Sequence, residues 1–330
     1  MGLFKKRAVV GNGNGATKIF FCSDVHGSTV CFRKFINAAK FYGANTLILG
    51  GDVTGKMVIP IARQTDGDYL TSFAGQEMRF TSSDELASFV KRVENMGFYP
   101  KVMDEEEFQR LKASPEAQDE LFRELVLGRL HEWVDYAEDK LAGSSIPVYA
   151  APGNDDFFEV DEVLASGERI KLIEMQVQPL GDDYQIATSG WTNPTPWNTE
   201  RECSEEELAE RLEKMFEQVE DMSRCVMNLH VPPHNSTIDM CPKLDSDMRV
   251  TYDLGNPVMA PAGSTAVRAA IERHQPLLSL HGHIHEGRGE AQIGRTVCLN
   301  PGSVYSEGVL NGLLITLQGS KVQDYQFTQG

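Results

Sequence analysis

The hydrophobic pattern of the chain starts with a strand, a helix and a strand. "KIFFCSD" (Lys18 to Asp24) is a short apolar run that ends in polar residues. "STVCFRKFINAAKFYG" (Ser28 to Gly43) keeps helical spacing from a Ser cap to a Gly stop, and "NTLILGGD" (Asn45 to Asp52) is the unbroken apolar run of a strand buried on both faces. This order predicts a parallel α/β unit. From Lys56 to about Ser145 the alternation lapses. A hairpin around Asp66-Gly67-Asp68 is suggested, although Pro60 argues against a central strand there. A capping box, Ser82 with Glu85, starts a helix with the apolar face Leu86, Phe89, Val90 and Val93, and a longer helical face runs from Leu121 to Leu141. No Pro/Ser-rich linker flanks this segment. It reads as a mainly helical insertion or cap, at about 56–145, within a single domain over 17–330, after a flexible lead-in at 1–16 that contains "GNGNG".

The alternation then resumes with "IPVYAAPGND", then "RIKLIEMQVQPL" and "YQIATSGW". A helix from Ser204 to Met222 follows, with the box Ser204/Glu207. After it come "RCVMNLH", an irregular stretch over 232–263, a helix from Ser264 to His274, "PLLSLHGHIH", and closing strands in "TVCLNPGS" and "GLLITLQG".

Metal-capable side chains gather where these runs end: Asp24 and His26 after the first strand, Asp52 after the second, Asn154 after a third, His230 after a later one, and His283 with His285 after another. In open α/β sheets, ligands bind at the carboxyl ends of the strands. Singly, each residue has an ordinary reading. Asp52 suits a helix cap, His230 a packed histidine, and Asn154 with Asp155 and Asp156 a turn. "HGHIH" is harder to read as a turn, because its histidines alternate and its glycine allows close backbone approach. Together the seven form a mixed N/O set without thiolate, suited to manganese, iron, zinc or nickel. Seven donors are too many for one ion. They suit two divalent metal ions that share a carboxylate.

Composition narrows the partners. With 48 acidic and 31 basic residues the net charge is −17, which argues against nucleic acid and against an anionic membrane surface, and an anionic substrate would need a local positive centre. No apolar run approaches a membrane span. The N-terminal "MGLFKKRAVVGNGNG" lacks the apolar core of a secretory signal, and Lys6 stands where N-myristoylation requires Ser or Thr. Six scattered cysteines suggest neither a disulfide framework nor a zinc knuckle, so a cytoplasmic location is expected. No feature fixes an oligomeric state.

In order, "DVH" at Asp24, "GGD" at Asp52, "GND" at Asn154, "LH" at His230 and "GHIH" at His283 and His285 resemble the five motifs of the calcineurin-like metallophosphoesterases, and "NPGS" (Asn300 to Ser303) resembles the closing segment of bacterial and archaeal members. The resemblance implies an α/β fold, a four-layer αββα sandwich of two mixed β-sheets flanked by helices. It implies one metal ion on Asp24, His26 and His285, another on Asn154, His230 and His283, and Asp52 bridging, with manganese foremost. The implied reaction is hydrolysis of a small-molecule phosphomonoester or phosphodiester, cyclic nucleotides included, by a metal-bridging hydroxide. The same fold also serves as a noncatalytic scaffold, an alternative that would not need the full ligand set this chain retains.

The chain departs from the family at Asp155, where many members carry a histidine that protonates the leaving group or steadies the phosphate. Asp156 keeps the acidic position that follows. Beside two cations the Asp155 carboxyl is expected below its usual ~3.9, which leaves it no proton to donate at neutral pH. His234, in "HVPPH", is an alternative proton donor. Without one, activity should depend steeply on leaving-group acidity. His281 is a candidate for orienting a ligand, "GWTNPTPWNT" (Gly190 to Thr199) for lining the substrate cleft, and Cys22, His131 and His274 for ordinary packing or surface roles.

Overall fold

The computed structural model describes residues 16–330, so the expected lead-in lies outside the described residues apart from Ala16. Two six-stranded mixed sheets form the centre. We number their strands β1 (Thr17–Cys22), β2 (Thr46–Leu49), β3 (Val148–Ala150), β4 (Ile170–Leu172), β5 (Gln176–Leu180), β6 (Tyr184–Ser189), β7 (Cys225–Leu229), β8 (Leu278–Leu280), β9 (Gly289–Ile293), β10 (Thr296–Asn300), β11 (Asn311–Gln318) and β12 (Lys321–Gln329). The first sheet has the order β12-β11-β1-β2-β3-β4 and the second β9-β10-β8-β7-β6-β5. In the first, β1 to β4 run parallel and β11 and β12 pair antiparallel. In the second, β6, β7, β8 and β10 are parallel between antiparallel edges.

Side-chain alternation along the strands builds the layers. Ile19 and Phe21 of β1 point between the sheets, where they join Ile186, Leu278 and Leu299 from the second sheet. Phe20 and Cys22 point the other way, onto helices α1 (Thr29–Tyr42), α4 (Pro115–Lys140) and α5 (Glu159–Leu164). Met227 and Cys298 of the second sheet face α6 (Glu205–Phe216) and α7 (Thr265–His274). The result is the expected four-layer αββα sandwich. Local signals set the helix ends as anticipated: Ser28 caps α1 and Gly43 ends it at φ 64°.

Three expectations change. The 56–145 segment carries a four-stranded sheet, ordered Gln76–Phe80, Tyr69–Phe73, Val58–Arg63, Tyr99–Asp104, besides helices α2 (Ser83–Asn95), α3 (Glu105–Ala113) and α4. Pro60 is accommodated because the hairpin partner pairs only with Ala62 and Arg63. The segment is also more than a cap, since α4 is part of the outer helical layer, with Trp133 stacked on Phe32 at 4.3 Å. Second, "RIKLIEMQVQPL" is two strands in different sheets, β4 and β5, separated by a turn with Met175 at φ 49°. Third, α6 ends at Phe216, and Asp221 caps a separate short turn over Met222–Arg224.

At the crossing between the sheets, Glu174 accepts a hydrogen bond from the Gly190 N–H at 2.8 Å, while its Oε1 is sealed from solvent without a partner among the described residues. Burial pushes this carboxyl from 4.5 up to about 8. The folded protein therefore holds a proton that the unfolded chain releases, and stability should fall as pH rises from about 4.5 through 8, by at most about 1.4 kcal/mol per pH unit. Glu174→Gln should remove this slope. Urea midpoints at pH 5, 7 and 9 check it, and parallel curves for variant and wild type would refute the assignment.

Candidate metal centre

The two sheets bring their strand ends to one place. β1, β2 and β3 deliver Asp24, His26, Asp52 and Asn154, and β7 and β8 deliver His230, His283 and His285. Backbone hydrogen bonds tie these ends together: the Asp24 N–H donates to Gly51 O (2.9 Å), the His26 N–H to Asp52 O (3.0 Å) and the Gly282 N–H to His230 O (2.9 Å). The two sheets are also joined directly, since the His283 N–H donates to both oxygens of Asp24 at 2.9 and 3.1 Å. A Cβ at Gly282 would lie 2.1 Å from Ser23 Oγ, so only glycine permits this approach. Four candidate ligands, Asp24, His26, Asp52 and His283, have positive φ (56°, 39°, 48° and 64°). Such backbone is costly for non-glycine residues and concentrates at functional sites. The "NPGS" segment braces the arrangement: Asn300 Nδ2 donates to the Gly282 and Ile284 carbonyls, and Ser303 Oγ to the Asp24 carbonyl at 2.7 Å.

The ligand atoms expected from the sequence form two groups. Asp24, His26 and His285 make one and Asp52, His230 and His283 the other, and Asp155 joins His26 and Asp52 in a third, overlapping group. Asp52 faces both of the first two, with Oδ2 3.5 Å from His26 Nε2 and Oδ1 3.3 Å from His230 Nε2. Asn154 Oδ1 lies 2.8 Å from His283 Nδ1, which puts the amide oxygen on the second group. Two observations fit cations in these groups. His26 has Nδ1 beside the Thr54 carbonyl (3.2 Å), which leaves Nε2 3.1 Å from His285 Nε2, a spacing natural for two nitrogens on one ion. His230 is fully buried, yet neither ring nitrogen has a hydrogen-bond partner among the described residues.

The electrostatics agree. Burial holds His26 at about 3 and His283 at about 4, so both offer lone pairs at neutral pH. Burial would raise Asp24, but the hydrogen bond from His285 and the charges of His230 and His285 outweigh it and bring the carboxyl to about 2. Asp52 is likewise held well below the usual carboxylate range, against its burial, mainly by His230. His230 is pushed up to about 9, because the carboxylates of Asp52 and Asp24 outweigh its burial. Such a carboxylate-rich pocket has a deficit of positive charge that a metal ion supplies.

The remaining candidates divide. Asp155 lies at the cluster: its N–H donates to Asp52 Oδ1 (3.1 Å) and its Oδ2 is 3.9 Å from His26 Nδ1. The protein alone shifts its carboxyl upward, and the lowering expected from cations belongs to the metal-loaded site. Burial and the Asp52 charge push it to about 6, and Lys56 only partly offsets them. Asp156 does not reach the reacting space. It is fully buried and accepts from the Val53, Thr54 and Gly153 N–H groups at 2.9, 2.8 and 2.8 Å and from Thr54 Oγ1 at 2.6 Å, strapping the Asp52 loop to the Asn154 loop. His234 is not brought to the cluster: it is 37% exposed, with Nδ1 3.9 Å from Asp239. His281 is buried with Nδ1 donating to the Leu229 carbonyl at 2.8 Å, a brace for β7 beside His230. His274 pairs with Glu213 at 2.9 Å.

A cleft of about 530 Å³ opens over the cluster, with Trp197 and its neighbouring prolines on one wall and residues of the 240–262 arm on the other. Thr199 of the Trp197 loop accepts from Asn154 Nδ2 at 2.9 Å, so "GWTNPTPWNT" does border the site. Sequence reasoning missed Lys56 and Tyr305. Tyr305 packs 4.6 Å from the His26 ring, and Lys56 Nζ stands 2.5 Å from Asp155 Oδ2. Lys56 is four residues beyond Asp52, but a lysine after a glycine reads as an exposed turn.

No family model matches the chain. The uncharacterized protein MJ1162 of Methanocaldococcus jannaschii is 31% identical over 179 residues, covering 53% of this chain and 69% of that protein. One solved structure aligns over 96% of this chain and 99% of its own with a TM-score of 0.55 at 13% identity. A second, TT1561 of Thermus thermophilus, aligns over 95% and 99% with a TM-score of 0.51 at 14% identity. At these identities the two structures show a shared fold.

Proposed function

We infer that this chain, whose five ordered strand-end motifs and four-layer fold are those of the calcineurin-like metallophosphoesterases, is a hydrolase of small phosphate esters that works with two divalent ions, manganese foremost. The observation that carries this reading is Asp52, whose two carboxylate oxygens face two separate Asp/His groups. Ions held there would supply Lewis acidity toward the phosphoryl oxygens and an activated water as nucleophile. The chain's own residues supply the rest. Asp24, Asp52 and the histidines fix the donors, the Asp156 strap holds the two loops in register, and the cleft beneath Trp197 receives the ester group. Against a noncatalytic scaffold stands the complete donor set, four of whose members keep positive-φ backbone that a binding role has no need to retain. Six free cysteines, five of them buried, support a reducing compartment. No helix among the described residues is long and apolar enough to cross a membrane.

With Asp155 held by Lys56 and His234 outside the cluster, neither of the two residues considered from the sequence as proton donors is placed to protonate the leaving group. In a screen of mono-, di- and cyclic phosphate esters with added Mn²⁺, nitrophenyl esters should be cleaved far faster than alkyl esters. Absence of hydrolysis, with no transition metal bound, would favour the scaffold; equal rates on nitrophenyl and alkyl esters would contradict the missing proton donor.

A further inference from the structure

We propose that Lys56, aimed into the cleft by Asp155, binds the outermost oxygen of a phosphate monoester at the Asp/His cluster and so sets a preference for monoesters over diesters. The proposal rests on the phosphoesterase reading above and narrows its substrate class.

The lysine is positioned from both ends. Its backbone follows a loop held at three successive residues: the Val53 and Thr54 N–H groups donate to Asp156, and the Gly55 N–H donates to the Tyr99 hydroxyl at 2.9 Å. A Cβ at Gly55 would meet the Gly97 carbonyl oxygen at 1.9 Å, so the loop is pressed against the insertion and has no room to shift. The ammonium is fixed by Asp155, its one ion-pair partner among the described residues, and Asp155 is fixed in turn by its N–H on Asp52. Lys56 therefore stands one carboxylate away from the cluster. It is half exposed, and it borders both the cleft over the cluster and a second groove of about 570 Å³ between the strand at 58–63 and helices α3 and α4.

An ammonium has three donors, and Asp155 occupies one of them. The others have no partner among the described residues and can serve an oxygen ligand. A phosphate diester has two non-bridging oxygens and one negative charge, whereas a monoester has three and close to two charges. Cations held by the cluster would serve the oxygens that both classes share. The third oxygen and second charge of a monoester need a further donor, and in a chain of net charge −17 Lys56 is the strand-end cation that faces the cleft. Lys243, the cleft's other lysine, comes from the 240–262 arm.

The test uses the full chain and Lys56→Ala, Lys56→Arg and Asp155→Asn. It measures orthophosphate binding to the Mn²⁺-loaded proteins by calorimetry, bound metal content, and kcat/KM on nitrophenyl phosphate relative to bis-nitrophenyl phosphate. Lys56→Ala should weaken orthophosphate binding and lower the monoester-to-diester ratio, each on the order of 10- to 100-fold, the worth of a hydrogen bond to a charged group. Metal content should stay at the wild-type level, which also reports that the variant is folded. Lys56→Arg should recover most of the phosphate affinity, and Asp155→Asn, which keeps the lysine's charge but loses its aim, should fall between. Unchanged orthophosphate affinity in Lys56→Ala, or equal losses on both esters, overturns the proposal. If the wild type cleaves neither ester, the phosphoesterase reading falls, and the orthophosphate titration alone decides the role of Lys56.

Discussion

Asp52→Asn is expected to lower phosphate-ester hydrolysis by on the order of a thousandfold or more and to reduce bound metal, while leaving the fold intact. One oxygen of Asp52 faces His26 and the other His230, so among the described residues the carboxylate is the side chain that serves both donor groups. The Asp155 N–H also uses Oδ1, at 3.1 Å. An asparagine has one acceptor oxygen. If that oxygen stays on the Asp155 N–H and the His230 group, the amide N–H₂ is turned toward His26, where a donor repels a cation. The loss is several kcal/mol of charge stabilisation, the scale on which a bound metal acts. Far-ultraviolet circular dichroism and metal content, measured beside the rates, separate this from unfolding. Full activity in Asp52→Asn would remove Asp52 from the centre.

The second large effect is on stability. Asp156→Ala should destabilise the protein by about 3 to 5 kcal/mol, because three buried N–H groups and a hydroxyl lose their acceptor together. Those donors belong to Val53, Thr54 and Gly153, which flank Asp52 and Asn154, so metal affinity should fall with stability. Asp156 is thus a positioning residue. A urea midpoint within a few tenths molar of wild type would show that the strap carries little.

The candidate ligands were legible because each one ends an apolar run, and a parallel sheet buried on both faces leaves few other reasons to place imidazoles and carboxylates there. What escaped were features made by distant pairings. Lys56 and Asp155 are separated by nearly a hundred residues, and each alone suits a turn. The Asp156 strap is invisible for the same reason: its partners are backbone groups on another loop. The insertion's sheet was hidden because its strands are short and half-exposed, and Pro60 lies inside one of them. The break between β4 and β5 carries neither Gly nor Pro, since Met175 itself adopts the positive φ. His234 is close in sequence to His230, yet its partly exposed side chain sits beside Asp239.

Whether these strand ends form a metal-dependent phosphoesterase is decided by the rate of nitrophenyl phosphate hydrolysis after chelation, followed as Mn²⁺ is titrated back. Negligible hydrolysis is expected without metal, with a saturable return of activity that Asp52→Asn fails to show. A rate that is independent of added metal, and the same in wild type and Asp52→Asn, would contradict that expectation.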